Sequence, residues 1–214
     1  MAATDTLTPY VTLLGFTRYV GHTGPAKARF VGGLRKQRAS QSGFNPHGTL
    51  IKALKTDILF RTTGTNLSRA PEAVKPRWRP LYEALVPGAI AYLRSLGDLF
   101  EVFVVPPREV IAMVGNLPVK VNPQLGLRYL DGRAEVVRLH FDEEPPSDEA
   151  VLAALHLMRR HMDQIMPGAE PVIVDVRRGR VLRADPDARP DQVEPWLTGE
   201  AAAFAAMWQA AAAA

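Results

Sequence analysis

Three acid-x-Arg pairs stand in this sequence: Asp131/Arg133, Asp175/Arg177 and Asp187/Arg189. Side chains two residues apart on a strand share a face, where carboxylates can hold a divalent cation. Asp175 is the sharpest candidate, because it interrupts the apolar run Val172-Ile173-Val174 and Val176. A carboxylate in such a run is either paired or functional, and Arg177 is either its ion-pair partner or its companion in a site. Glu83, Asp131 and Asp175, with Arg177, form the candidate catalytic set for Mg²⁺-dependent phosphodiester cleavage. No Lys has an acid two positions before it: Lys120, the sole Lys after residue 80, has Pro118 there. Arg replaces Lys poorly in general acid–base work, since it stays protonated and spreads its charge.

The second candidate chemistry is phosphate binding. Residues 1–80 hold 13 Lys and Arg against Asp5, Asp57 and Glu72, a net of +10, while residues 81–214 hold 13 against 19 acids, a net of −6. Lys27, Arg29, Arg35, Lys36, Arg38, Lys52 and Lys55, with Arg61, Arg69, Lys75, Arg77 and Arg79, make a dense basic set. Such a block reads as a surface for phosphates, for an acidic protein partner, or for the chain's own acidic half. Phe44 and Trp78 offer faces on which bases could stack.

Composition removes other classes. With no Cys, disulfides, zinc fingers and cysteine nucleophiles are excluded, and a reducing, cytoplasmic setting is expected. No apolar run of about 18 residues is present, and Met1-Ala-Ala-Thr-Asp5 lacks the order of a signal peptide. The five His make no metal motif. His22 and His47 fall in loops, and His156 and His161, five apart on a helix, point apart. Gly32-Gly33 lacks the Gly-Lys-Ser/Thr ending of a phosphate loop.

The elements that must position these groups follow from periodicity. Thr8-Pro9, Gly24-Pro25 and Asn45-Pro46 each set Pro at a helix start, predicting three short helices before residue 60. Residues 61–70 are polar and aperiodic and are expected to be a linker or mobile loop. A helix follows to about Ser95, with Pro87 expected to kink or split it. Strands are expected at 100–105, 110–114 and 119–130, with breaks at Gly115-Asn116 and Asn122-Pro123. Asp131-Gly132 is a hairpin turn signal, and 134–141 is the returning strand. Its Arg138 shares a face with Val136 and His140, and Glu135 lies on the other face. Ser147 is expected to cap a helix with Asp148 and Glu149 in its first turn. A strand at 172–176, a loop over 184–195 and a last helix from Thr198 complete the chain.

The order helix, strands with hairpin, helix, strand over residues 76–182 resembles the αβββαβ core of the PD-(D/E)XK nuclease-like fold. The stretch from Lys120 to Phe141 looks like its central hairpin. The resemblance implies an acid near the first hairpin strand and acid-x-Lys on the next, with carboxylates on Mg²⁺ and the Lys positioning water; here that motif is degenerate.

The resulting expectation is an α+β chain: a basic helical region over 1–70, then a mixed-sheet core with a C-terminal helix over 71–214. The favoured function is nucleic-acid binding through Lys27, Arg29, Arg35, Lys36, Arg38, Lys52, Lys55, Arg77 and Arg79, with a core that has lost its chemistry and needs no cofactor. A helix-turn-helix reader fits less well, because about seven residues join the second and third helices instead of three or four. The alternatives are an adaptor for an acidic protein and a Mg²⁺-dependent nuclease.

Overall fold

The computed structural model describes residues 10–40, 45–184 and 190–211. Expectations at Thr8-Pro9, Phe44, Asp187 and Arg189 lie outside the described residues. The elements run in the order β1 (Val11–Thr12), α1 (Leu13–Val20), α2 (Pro25–Ala39), α3 (Gly48–Leu59), α4 (Thr65–Arg69) and α5 (Arg79–Ser95). Then come β2 (Val102–Val105), β3 (Val110–Val114), β4 (Leu117–Val121), β5 (Leu125–Tyr129), β6 (Ala134–His140) and α6 (Asp148–Arg160). The chain closes with α7 (Met162–Ile165), β7 (Glu170–Asp175), β8 (Arg180–Leu182) and α8 (Pro190–Ala210).

The class is α+β. A five-stranded mixed sheet has the order β2-β5-β6-β7-β8, and a three-stranded sheet has the order β1-β4-β3. β5 and β6 form the hairpin across Asp131-Gly132, and β6 runs parallel to β7, with α6 in the crossover. Ser147 caps α6 as expected, its Oγ accepting from the Ala150 N–H at 3.2 Å. The hairpin is shorter than the expected stretch from Lys120 to Phe141. β4 belongs instead to the small sheet, paired with β3 and in parallel with β1. The switch falls at Asn122-Pro123, where proline has no amide hydrogen to continue a ladder.

Alternation along β6 and β7 sorts side chains to two cores. Val136 and Ile173 join α1, α2, α6, α8 and the small sheet in one core. Val137, Leu139, Val172 and Val174 join α3, α4 and α5 in the other. The basic N-terminal segment therefore does not stand apart, since its apolar residues complete both cores.

Residues 61–70 are not a free linker. Asp57, fully buried at 0% exposure, gathers them. Its carboxylate accepts from the Asn66 N–H (3.0 Å), the Asn66 side-chain amide (2.9 Å), the Leu67 N–H (2.9 Å) and the Thr62 hydroxyl. Leu67 and Ala70 are buried beside it. α5 continues unbroken through the exposed Pro87. The next residue, Gly88, sets it hard against the sheet: a Cβ there would lie 1.9 Å from the Val176 carbonyl oxygen. α8 likewise begins at Pro190, earlier than Thr198, because Val193 and Leu197 are buried in its first turns. Proline is tolerated at a helix start. No described helix is long and apolar enough to cross a membrane.

Candidate functional site

The crossing between sheets builds a cleft of about 670 Å³. Asn122 and Gln124 line it where the chain leaves β4 for β5. Gln124 ties this floor to β6: its N–H donates to Val137 O at 3.2 Å, and its Oε1 accepts from the Leu139 N–H at 2.9 Å. β6 contributes Arg138, α1 contributes Arg18, α2 contributes Arg38 and Leu34, and the residue capping α3 contributes His47. On the side of the β6–α6 loop, a second hollow of about 560 Å³ shares Arg18, Arg138 and Asp142 with the first.

Arg138 is the outlier of this site. It is 6% exposed, yet no described residue gives it a hydrogen bond or an ion pair. Burial, reinforced by the charge of Arg18 and partly offset by Asp142, pulls its guanidinium down to about 10. Elsewhere on the same sheet buried charges are paired: Glu135 with Arg183 at 2.6 Å and Asp175 with Arg178 at 3.0 Å. Asp142 does not serve Arg138 in this way, because Arg18 holds it with two hydrogen bonds, Nε to Oδ2 at 2.7 Å and Nη2 to Oδ1. Burial alone would raise the Asp142 carboxyl, but the hydrogen bonds and charge of Arg18 bring it below the usual value.

His47 stacks on Phe141 with ring centroids 4.2 Å apart and 8° between planes. Burial, with the charge of Arg18 and against that of Asp142, lowers it to about 4, so the ring is neutral near pH 7. Its Nδ1 and the Asn122 Oδ1 are buried without a hydrogen-bond partner. Arg38 lies over the Tyr10 ring at 3.9 Å and donates to Tyr10 O at 2.6 Å.

The expected carboxylates do not converge. Asp131 sits exposed in the hairpin turn, accepting from Arg133 Nε at 2.6 Å and Arg133 N at 2.9 Å, so this acid-x-Arg is a turn and not a strand face. Asp175 is 2% exposed and lies level with His140. That is the far end of the seven-residue β6 from Asp131, about 20 Å away at ~3.3 Å per residue. Its partner is Arg178 and not Arg177, because β7 ends at Asp175 and the turn carries Arg177 off the strand face. Glu83 is exposed on α5. Among the described residues, no three His, Cys, Asp or Glu side chains are grouped to hold a metal ion.

The basic set divides. Lys27 pairs with Glu200 at 2.6 Å, Arg35 donates to Trp208 O at 3.1 Å, and Arg38 is committed to Tyr10; these three pack α2 onto its neighbours. Lys55 is half-buried, and burial lowers its ammonium. Arg29, Lys36, Lys52, Arg77 and Arg79 are exposed, as are Arg61, Arg69 and Lys75. Sequence reasoning passed over Arg18, His47, Asn122 and Asp142 as parts of one site and gave Arg138 no role. The signal for Arg138 was present: a charge inside Val136-Val137-Arg138-Leu139 is as anomalous as Asp175 inside its strand. Compared with protein-family models and with curated proteins, the chain finds no match.

Proposed function

We propose that this protein binds nucleic acid through phosphate contacts from its N-terminal half, with little sequence readout and without cleavage. One observation carries the reading. Arg29, Lys36, Lys52, Arg61, Arg69, Lys75, Arg77 and Arg79 are exposed. None belongs to the Lys and Arg set that forms ion pairs among described residues, which is Arg18, Lys27, Lys120, Arg133, Arg159, Arg160, Arg178 and Arg183. Cations left to solvent in one stretch of chain are available to release the counterions of a phosphate backbone. In support of the resemblance to a nuclease-like core, α5, β2, β5, β6, α6 and β7 follow in that order, with β3 and β4 of the small sheet inserted after β2 and α7 after α6. The scattered carboxylates favour binding over metal-dependent cleavage.

The test is affinity for mixed-sequence duplex DNA across a salt series, with the intact chain. Four to six phosphate contacts predict a log–log slope of about −4 to −5. Reversing Arg29, Lys36 and Lys52 together to Glu is expected to weaken binding on all sequences and to make the slope shallower by about 2–3. Arg35 and Arg38 are unsuitable for reversal because they hold α2 in place. A fragment starting at residue 76 is also unsuitable, because it would strip both cores. If the intact protein ignores DNA and RNA at low salt, the adaptor for an acidic protein partner replaces this reading.

A further inference from the structure

The geometry points to a second site: the cleft over β6 binds a phosphate monoester, with the phosphoryl group on the Arg138 guanidinium. Two buried polar atoms without a hydrogen-bond partner, His47 Nδ1 and Asn122 Oδ1, line this cleft together with Arg138, which is 6% exposed and has no hydrogen bond or ion pair among the described residues. A guanidinium on so buried a residue is favoured by an anionic partner, and the same sheet satisfies its other buried charges with partners. The missing partner is therefore a ligand and not a neighbouring side chain.

Its charge follows from the lining. Arg18, Arg38 and Arg138 stand against Asp142, a net of +2 with His47 neutral. That balance suits a dianion, which a phosphate monoester is near neutral pH, better than a carboxylate. A guanidinium presents paired donors that match phosphate oxygens. A neutral imidazole with a free Nδ1 can turn its proton toward the anion, and the unpaired Asn122 side chain accepts or donates to a hydroxyl or amine on the organic part. Phe30, Leu34 and Ile51 add apolar wall, and Thr12, Asn45 and Gln124 add polar groups to the lining. At about 670 Å³, the cleft falls within the ~300–1,000 Å³ range of small-molecule sites. The phosphoryl group could belong to a free mononucleotide or to the 5′ end of a strand.

The probes are inorganic phosphate, a nucleoside 5′-monophosphate, and a 12-nucleotide single strand with either a 5′-phosphate or a 5′-hydroxyl. Calorimetric titration of the full chain is expected to show saturable binding of at least one phosphate-bearing probe, weakened tenfold or more in Arg138→Gln and in Arg138→Met. The same variants without ligand are expected to unfold at or above the wild-type temperature, since they remove an unpaired buried charge. A purely structural Arg138 predicts the opposite, so marked destabilisation in both overturns the proposal. Binding of the nucleotide with no preference for the phosphorylated strand assigns a free metabolite. A tenfold preference for the phosphorylated strand, lost in Arg138→Gln, assigns a strand end. No phosphate-dependent binding by any probe, or binding unchanged in Arg138→Gln, also overturns the proposal. The inference stands apart from the basic-surface reading: the 5′-hydroxyl strand reports that surface, and the Arg138-dependent increment reports this site.

Discussion

Asp57→Ala is expected to be among the most damaging single changes in the N-terminal half. The carboxylate is fully buried and faces four donors, two of them backbone N–H groups of Asn66 and Leu67 in the first turn of α4. The residue in the N-cap position of α4, Gly64, has no side chain to satisfy them. Asp57 thus caps α4 from a neighbouring helix and carries the charge that the start of a helix favours. Alanine removes every acceptor. The Thr62 hydroxyl and the Asn66 amide are half-buried and can recover some water, but the Leu67 N–H, at a fully buried residue, cannot. A buried donor left unmade costs about 1–3 kcal/mol and a lost cap about 1 kcal/mol. Relief of the buried charge returns part of this, leaving a loss of about 2–3 kcal/mol. For 214 residues the unfolding entropy is about 0.45 kcal/mol/K, so Tm should fall by roughly 4–7 °C. Urea unfolding measures the loss directly. Hydrogen exchange should show the Asn66 and Leu67 amides losing protection beyond the global effect. A variant within 1 kcal/mol of wild type, with those amides still protected, would refute the capping argument.

Two glycine substitutions should act with opposite sign. Gly88→Ala drives a Cβ into the Val176 carbonyl and must lift α5 from the sheet, costing at least about 3 kcal/mol. Gly33→Ala, in the middle of α2 with nothing within 4 Å of its Cβ, should stabilise by about 0.5–1 kcal/mol. Urea midpoints that shift in the same direction for both would contradict the packing described. His47, lowered to about 4 in the fold from its usual 6.5, makes the unfolded chain bind a proton first on acidification. Stability should therefore be flat above pH 6.5 and fall as pH drops from 6.5 toward 4. His161 is lowered too, by burial and then by Arg160, and adds to the same window. The measurement that isolates His47 is the difference in Tm between wild type and His47→Asn across pH 7 to 4.5. An unchanged difference over that range would count against a buried neutral imidazole.

Local patterns were enough for the elements whose information is local. Ser147 with Asp148 and Glu149, followed by an apolar stripe, specified α6; Asp131-Gly132 between alternating runs specified the β5–β6 turn; the Val172–Val176 run specified β7. Capping and alternation act over a few residues, so they are written in a few residues. Burial at charged positions was half legible: Asp175 and Arg138 both announce themselves as charges inside apolar strands. Which partner each would find was not legible. Asp175 met Arg178 because β7 ends at Asp175, and a strand's end is set by what pairs alongside it. Residues 61–70 read as loose because their polar side chains serve a carboxylate in the preceding helix, which no local periodicity records. Lys27, Arg35 and Arg38 looked like surface until α8, some 170 residues later, supplied Glu200 and Trp208. The cleft itself belongs to tertiary structure alone. It exists because the chain changes sheets at Asn122-Pro123 and because α1, α3 and β6 bring Arg18, His47 and Arg138 together from distant parts of the sequence. Composition can state that a chain has charges to spare; only packing decides which of them are left without a partner, and where.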